Sequence, residues 1–383
     1  MNLRTSPPPI PFIDIAAQRR RIGPAIDAAV ARVLDHCQFI LGPEVRTFEA
    51  ELAAFCGARH VVSCASGTDA LVLPLRAQGI GPGDAVFCPS FTFCATAEVA
   101  ALVGATPVFV DVDAATFNID AGGLEAAIAT AKAAGLTPKA VIPVDLFGLP
   151  ADHAAVAAVA SAHNLFVLDD AAQGFGGVYR NRRIGSFGHA TATSFFPAKP
   201  LGCFGDGGAV ITDDAEQADI MRSLRMHGHG TDKYDNIRIG LASRLDTIQA
   251  AILIEKLKIF PDEIEARNVA ARRYNEGLAG IDGVITPQVP AGLTSVWAQY
   301  TLRVSGGRRD ALAAALKADG IPTAIYYPIP LHRQQAYKHY PVGAGGVAVS
   351  EQLSAEVISL PMHAYLDEPT QSRIVDAVRR ALG

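Results

Sequence analysis

The feature that most constrains the fold is a repeated alternation between residues 60 and 213. Short apolar runs rich in β-branched residues recur there, and alanine-rich segments typical of helices separate most of them. Several runs are almost continuously apolar, as expected of strands covered on both faces. The strand candidates are 60–65, 85–91, 106–112, 139–146, 165–171, 189–195 and 207–213. The alternation predicts an α/β fold in which helices flank a mainly parallel, seven-stranded sheet.

The pattern changes in the last third of the chain. Residues 246–278 predict a long helix that is interrupted near Pro261. Beyond it, "SVWAQYTLRV" and "PTAIYY" predict strands, and further helices are predicted near 308–319, 350–358 and 368–382. We therefore expect a large domain over residues 1–260 and a small C-terminal α+β domain over residues 261–383.

Composition and missing motifs exclude several classes of protein. Only 19% of the 383 residues are charged and the net charge is −5, which does not indicate the basic surface of a nucleic-acid-binding protein. No run of about 18 apolar residues predicts a membrane span, and the start "MNLRTSPPPIPFIDI" lacks the apolar core of a signal peptide. Neither a dinucleotide-binding Gly-x-Gly-x-x-Gly after a strand nor a P-loop occurs.

Cysteines and histidines give no sign of a disulfide framework or a metal site. The six cysteines form no Cys-x-x-Cys pair and lie mostly in apolar runs, which is typical of buried, reduced thiols in a cytoplasmic protein. His227 and His229 are the only closely spaced histidines, and they lie beside glycines in a predicted loop. We predict no metal.

Two residues that follow neighbouring strand candidates indicate a cofactor. Asp170 ends the run in "LFVLDDAAQGFGG", and Lys199 follows the next run in "TATSFFPAKPLGCFGDGGAV". The carboxyl ends of parallel strands meet at one edge, where ligands bind. An amine for the aldehyde and a carboxylate for the pyridine nitrogen are what pyridoxal phosphate takes from a protein. Taken singly, Lys199 could extend from a surface loop and Asp170 could cap a helix. The apolar run around Lys199 favours function, and Asp169 should point to the opposite face.

Further residues near the same edge suit the rest of the cofactor. Gln173 and Ser194 lie between Asp170 and Lys199 in sequence, and they suit the ring oxygen and the phosphate. In "SCASGTDAL", Gly67 and Thr68 open a predicted helix, whose free N–H groups can bind an anion. That segment alone would also fit a plain helix cap. Phe93, in "PSFTFCAT", could stack on a flat ring or simply fill the core.

These residues resemble the sugar aminotransferases of the DegT/DnrJ/EryC1/StrS family, which have the fold type I architecture of aspartate aminotransferase. The resemblance extends over nearly the whole chain, through "FIDIAAQ", "FILGPEV", "ASGTDAL", "FTFCATAE", "GATPVFVDVD", "DDAAQ", "SFFPAKPLGCFGDGGAV", "SRLDTIQAAIL", "YYPIPLH" and "SLPMH". It implies a homodimer with shared active sites, in which Lys199 and Asp170 are the catalytic residues. The implied cofactor-binding residues are Gly67, Thr68, Phe93, Asp170, Gln173, Ser194 and Lys199, and the implied substrate-binding residues are Arg244, Tyr326 and Tyr327.

The resemblance also implies a substrate class. The chain is most similar to members that transfer an amino group from L-glutamate to UDP-linked 3-keto sugars, for cell-surface polysaccharide or lipid A synthesis. A dTDP-linked sugar, a 4-keto sugar or a cyclitol ketone is the alternative. Related dehydratases have histidine in place of the lysine, so Lys199 argues against that reaction. A non-catalytic sensor that kept the fold is a further alternative.

Three positions depart from the family pattern. Ala242 stands where many members have an asparagine that reaches the neighbouring subunit's phosphate, so one hydrogen bond should be missing, at roughly 0.5–1.5 kcal/mol. Tyr326 stands where the uronate enzyme has histidine, which leaves room for an uncharged sugar. Pro74 lies inside a predicted helix, where proline costs about 3 kcal/mol or forces a kink.

Overall fold

A computed structural model describes residues 9–232 and 234–383. The first eight residues, which begin the segment examined for a signal peptide, lie outside this part of the chain. Within it the strands are β1 (His60–Cys64), β2 (Asp84–Pro89), β3 (Thr106–Val110), β4 (Thr137–Val141), β5 (Phe166–Asp170), β6 (Val178–Tyr179), β7 (Arg182–Arg183), β8 (Ala190–Ser194), β9 (Gly208–Thr212), β10 (Val284–Ile285), β11 (Leu293–Thr294), β12 (Tyr300–Val304) and β13 (Val357–Leu360).

The helices connect and cover these strands. They are α1 (Ile15–His36), α2 (Pro43–Cys56), α3 (Gly67–Ala77), α4 (Ala95–Leu102), α5 (Ala121–Ala133), α6 (His153–His163), α7 (Ala215–Leu224), α8 (Thr247–Leu278), α9 (Arg309–Ala318), α10 (Ala348–Glu356) and α11 (Glu368–Leu382). Single 3-10 turns form at Leu146–Gly148 and Leu331–Arg333. No helix in the described ranges is both long and apolar enough to cross a membrane.

A seven-stranded sheet organises most of the molecule. Its order is β1-β9-β8-β5-β4-β2-β3, with β9 antiparallel to both of its neighbours and the other pairs parallel. One face packs against α3, α4 and α7. The other face packs against α2 and α8 at one end and against α5 and α6 at the other. The predicted α/β fold with a mainly parallel seven-stranded sheet is confirmed.

The C-terminal part forms a second, smaller core. The antiparallel sheet β10-β12-β13 packs with α9, α11 and the last turns of α8. The interruption predicted near Pro261 is wrong, because α8 continues through it as one helix. Contacts with α1, α2 and α11 along its length support the helix across the missing N–H group. Since α8 passes through residue 260, it is shared between the two domains that we propose over 1–260 and 261–383.

The strand predicted in "PTAIYY" is also wrong. Within residues 322–327 only Ala324 pairs, in an isolated bridge to Ser359. The chain then leaves the sheet, and Tyr326 and Tyr327 pack against Phe91 and other aromatic residues near the carboxyl ends of the large sheet. A tyrosine pair at the end of an apolar run has the composition of a strand, but here the pair packs against residues next to the large sheet.

Candidate active site

The carboxyl ends of β5 and β8 carry the two residues that the sequence singled out. Asp170 is the last residue of β5 and Ser194 is the last residue of β8, while Lys199 lies on the loop that follows. Asp170 and Lys199 interact electrostatically. Burial lowers the pKa of the Lys199 amine, and the Asp170 carboxylate opposes that shift. A buried amine with a lowered pKa has a larger neutral fraction, which is the nucleophilic form.

The Asp170 carboxylate is held in place by two donors. The Thr96 hydroxyl donates to Oδ2 at 2.9 Å, and the Ala172 N–H donates to Oδ1 at 3.2 Å. Burial raises the pKa of Asp170, and the bond from Thr96 is the largest influence that lowers it. Asp169 faces the other way, next to Thr191 on β8, as strand alternation predicts. Only Asp170 therefore faces Thr96 and Lys199.

Gln173 has a fixed amide orientation. Its Oε1 accepts from the Phe147 N–H at 2.7 Å, and its Nε2 donates to the Tyr327 hydroxyl at 3.1 Å. The side chain is buried. Burial raises the pKa of the Tyr327 phenol, which stays neutral. The Gln173 amide therefore links the turn at Phe147 to Tyr327.

The start of α3, at Gly67 and Thr68, lies in close contact with Ser194 at the end of β8. We refer to these three residues as the cradle. Ser66 caps α3, with its Oγ accepting from the Asp69 N–H at 3.1 Å. A Cβ on Gly67 would lie 2.6 Å from the Ser194 Cβ, so only glycine fits there. The first N–H groups of a helix, here those of Gly67 and Thr68, have no partner within the helix. Together with the Ser194 hydroxyl they can bind a phosphate.

The remaining predicted residues have different contacts. Phe93 is 51% exposed and its ring centroid is 6.3 Å from that of Tyr327. Tyr326 packs edge-on against Phe12 at 6.4 Å. Arg244 lies just before α8, with Nη1 3.4 Å from His227 Nε2. Among the described contacts, none joins Arg244 to either tyrosine.

Some supporting residues were not predicted from the sequence. Thr96 lies in the first turn of α4 and Phe147 lies in a 3-10 turn. The only signal in the sequence was their position soon after strand candidates, which many unrelated residues share.

The site fits pyridoxal phosphate. Gly67 lets the first turn of α3 approach Ser194 closely, and a buried carboxylate faces a lysine with a lowered pKa. These are the phosphate, ring-nitrogen and aldehyde partners that the cofactor requires.

Comparison with known proteins identifies the family of the chain. Residues 20–379 match the model of the DegT/DnrJ/EryC1/StrS aminotransferase family. The chain belongs to this family. It is therefore an aminotransferase that uses pyridoxal phosphate, with the fold type I architecture.

Individual relatives cover almost the full length. The UDP-2-acetamido-2-deoxy-3-oxo-D-glucuronate aminotransferase of Pseudomonas aeruginosa is 48% identical, over 94% of this chain and 96% of its own. The UDP-N-acetyl-3-dehydro-alpha-D-glucosamine 3-aminotransferase of Acidithiobacillus ferrooxidans is 44% identical, over 97% of this chain and 98% of its own. A crystal structure of a family member from Brucella abortus is 56% identical with a TM-score of 0.95, covering 98% of this chain and 100% of its own.

Proposed function

We propose that this aminotransferase moves an amino group from L-glutamate to a UDP-linked 3-keto sugar, either UDP-3-keto-N-acetylglucosamine or its uronate. The substrate class is supported by two relatives, 48% and 44% identical to this chain, whose names specify these two 3-keto sugars. A dTDP-linked sugar is the second candidate, because a dTDP-3-amino-3,4,6-trideoxy-alpha-D-glucose transaminase of Streptomyces venezuelae is 42% identical over 99% of this chain.

The roles proposed for the site residues follow from their chemistry. When bound, pyridoxal phosphate supplies an electron sink and a carrier for the amino group. Lys199 holds the cofactor aldehyde and, when released, moves a proton at the carbon that loses or gains the amine. Asp170 pairs with the ring nitrogen, and Gln173 donates to the ring oxygen. Phe93 lies against the ring. The phosphate binds in the cradle, to the N–H groups of Gly67 and Thr68 and to the Ser194 hydroxyl.

Replacing the lysine tests the reaction type. Lys199→Ala should lose turnover completely while still binding pyridoxal phosphate noncovalently, because the cradle and Asp170 remain. Turnover with L-glutamate and the cofactor's absorption spectrum measure both properties. Lys258→Ala is the control, since Lys258 is an exposed lysine that pairs with Glu255. Turnover by Lys199→Ala would overturn the proposal.

The substrate is tested with the protein in its pyridoxamine form. Adding UDP-3-keto-N-acetylglucosamine should restore the absorption of the aldehyde form, and the uronate and a dTDP-linked 3-keto sugar are compared under the same conditions. 2-Oxoglutarate is the positive control. If only 2-oxoglutarate restores the absorption, the enzyme is an aminotransferase for another ketone.

Tyr326 bears on the choice between the two UDP sugars. We propose that Tyr326, Tyr327 and Arg244 contact the substrate. Tyr326 and its neighbour Phe12 present neutral rings, which favours the sugar without a carboxylate. Tyr326→His should shift the ratio of kcat/KM toward the uronate, and an unchanged ratio would exclude Tyr326 from this discrimination.

We further propose that the enzyme is a cytoplasmic homodimer. All six cysteines are free thiols, as is usual in a reducing compartment. Phe39 and Phe204 are exposed near the start of α8, where the Thr247 N–H bonds to the Phe39 carbonyl and Gln249 accepts from the Phe204 N–H. An apolar surface next to the Lys199 loop suits a second subunit.

A further inference from the structure

Behind Asp170, on the opposite face of β5, lie three buried titratable residues that the reaction does not use. They are Asp145, His153 and Asp169, and we refer to them as the buried triad. One ligand-type atom from each lies within 4.8 Å of the others. His153 Nε2 is 3.2 Å from Asp145 Oδ1, and the Thr191 hydroxyl donates to Asp169 at 3.4 Å. Both carboxylates have no solvent exposure.

The triad requires a positive charge. Asp145 Oδ2, Asp169 Oδ1 and His153 Nε2 have no hydrogen-bond partner among the described residues, and a buried carboxylate without a compensating charge is costly. Burial lowers the pKa of His153, but Asp169 and Asp145 outweigh it and raise that pKa to about 9. The ring also stacks on Phe187 at 4.6 Å. His153 is therefore the cation of the triad, with the Asp145 carboxylate 3.2 Å from its Nε2, while burial and Asp145 raise the pKa of Asp169 well above its usual value.

The triad is connected to the cofactor site through the backbone. The Asp145 N–H donates to the Asp170 carbonyl at 3.1 Å. The Asp145 side chain accepts from the Ala151 N–H at 2.7 Å, which fixes the short loop between β4 and α6. Phe147, on that loop, donates to Gln173. The position of Asp145 thus affects both residues that face the ring.

The triad also acts on Asp170 through charge. Burial is the main influence that raises the pKa of Asp170, and the Asp145 carboxylate adds to it, which opposes the ionised form that pairs with a protonated ring nitrogen. A like charge within about 4–6 Å disfavours ionisation, and an opposite charge favours it. A cation at His153 offsets the Asp145 carboxylate behind the strand.

We propose that His153 is a positioning residue for the cofactor: as a buried cation between Asp145 and Asp169, it balances the charge behind Asp170 and fixes the loop that orients Gln173. This inference rests on the proposed pairing of Asp170 and Gln173 with the cofactor. His153 acts only through these residues and does not touch the reacting atoms.

The test measures pyridoxal phosphate binding in the full-length Lys199→Ala protein, so that neither turnover nor covalent attachment contributes. His153→Leu should raise the cofactor Kd about tenfold, the equivalent of one pKa unit at Asp170. Adding Asp145→Asn to His153→Leu removes the unbalanced carboxylate but keeps an oxygen that can accept from the Ala151 N–H, and it should restore most of the affinity. His153→Gln keeps a polar side chain without the cation, and it should also bind the cofactor about tenfold more weakly.

Control variants distinguish a failure of this inference from a failure of the proposed cofactor site. His163→Leu removes the other histidine of α6, which pairs at the surface with Glu125 at 2.8 Å, and should leave Kd unchanged. Asp170→Asn should weaken binding in the same assay; if it does not, the assignment of Asp170 itself fails. If Asp170→Asn weakens binding but His153→Leu and His153→Gln lower only Tm, the triad is structural and the inference is wrong. A stoichiometric metal ion in the purified protein that is lost in His153→Leu would also overturn it.

Discussion

Gly67 is the residue at which side-chain size matters most for the proposed cofactor site. A Cβ there would lie 2.6 Å from the Ser194 Cβ and 2.9 Å from its Oγ. Gly67→Ala should push the first turn of α3 away from Ser194, at a cost of about 1–3 kcal/mol. We expect at least tenfold weaker binding of pyridoxal phosphate, measured as Kd in the Lys199→Ala background. Gly345→Ala is the control, because a Cβ at that position would meet nothing within 4 Å, and equal effects of the two changes would contradict the cradle.

A site residue could be predicted only where the neighbouring sequence indicates its role. Asp170 and Lys199 were predictable because each follows an apolar run, and parallel strands bring such positions to one edge. Thr96 and Phe147 were not, since they meet Asp170 and Gln173 across 74 and 26 residues of sequence. A threonine in a helix and a phenylalanine in an apolar run carry no signal until the fold brings them to a partner.

At the scale of elements, α8 supports the loop that carries Lys199. Lys256, on α8, is buried, and its ammonium group donates to the Gly202 carbonyl at 2.6 Å. It also lies 4.1 Å from the centroid of the Phe204 ring. Gly202 itself has no room for a Cβ, which would meet the Pro197 carbonyl oxygen at 2.6 Å. A buried amine therefore helps to join the helix to the loop.

Lys256 should make stability depend on pH in a defined direction. Burial lowers its pKa from 10.5 to about 8, while Glu263 opposes the shift. Between these values the unfolded chain binds more protons than the folded one, so stability rises with pH. Compared with Lys256→Met, the parent should gain on the order of 3 kcal/mol in unfolding free energy between pH 8 and pH 10.5. Urea denaturation across this range measures the gain.

The control for this prediction is Lys258→Met, two residues along the same helix. Lys258 is largely exposed and pairs with Glu255, so its removal should leave the pH dependence of the parent unchanged. Identical pH dependence in Lys256→Met and the parent would contradict a lowered pKa at Lys256.

Helices and strands could be predicted where the local sequence pattern agrees with the packing in the fold. The seven strands of the large sheet are apolar runs that the fold covers on both faces. The predictions for Pro261 and "PTAIYY" were wrong because packing in the fold outweighs the local sequence pattern. Packing with α1, α2 and α11 keeps α8 helical through a proline. Ile325, Tyr326 and Tyr327 pack against residues next to the large sheet instead of forming a strand.

At the scale of the whole molecule, several exposed apolar side chains lie next to the site. Phe196 is 52% exposed three residues before Lys199, and Phe39, Ile40 and Phe204 are exposed near the start of α8. Ile40 pairs with Asp246 in a bridge that brings this segment next to α8. Such a surface next to a cofactor site is what a shared active site requires, because the second subunit would cover it and contribute side chains.

A charge introduced into this surface should therefore both separate the subunits and reduce activity. Phe39→Asp places a carboxylate in the proposed interface, where it would be buried without a partner. We expect a monomer by analytical ultracentrifugation, and a fall in turnover at protein concentrations where the parent is a dimer. Ile285→Asp is the matched control: Ile285 is 47% exposed on β10, against 42% for Phe39, but it lies on the small sheet. A Phe39→Asp protein that remains a dimer with full turnover would place the interface elsewhere, whereas a monomer with full turnover would mean that each chain forms a complete site alone.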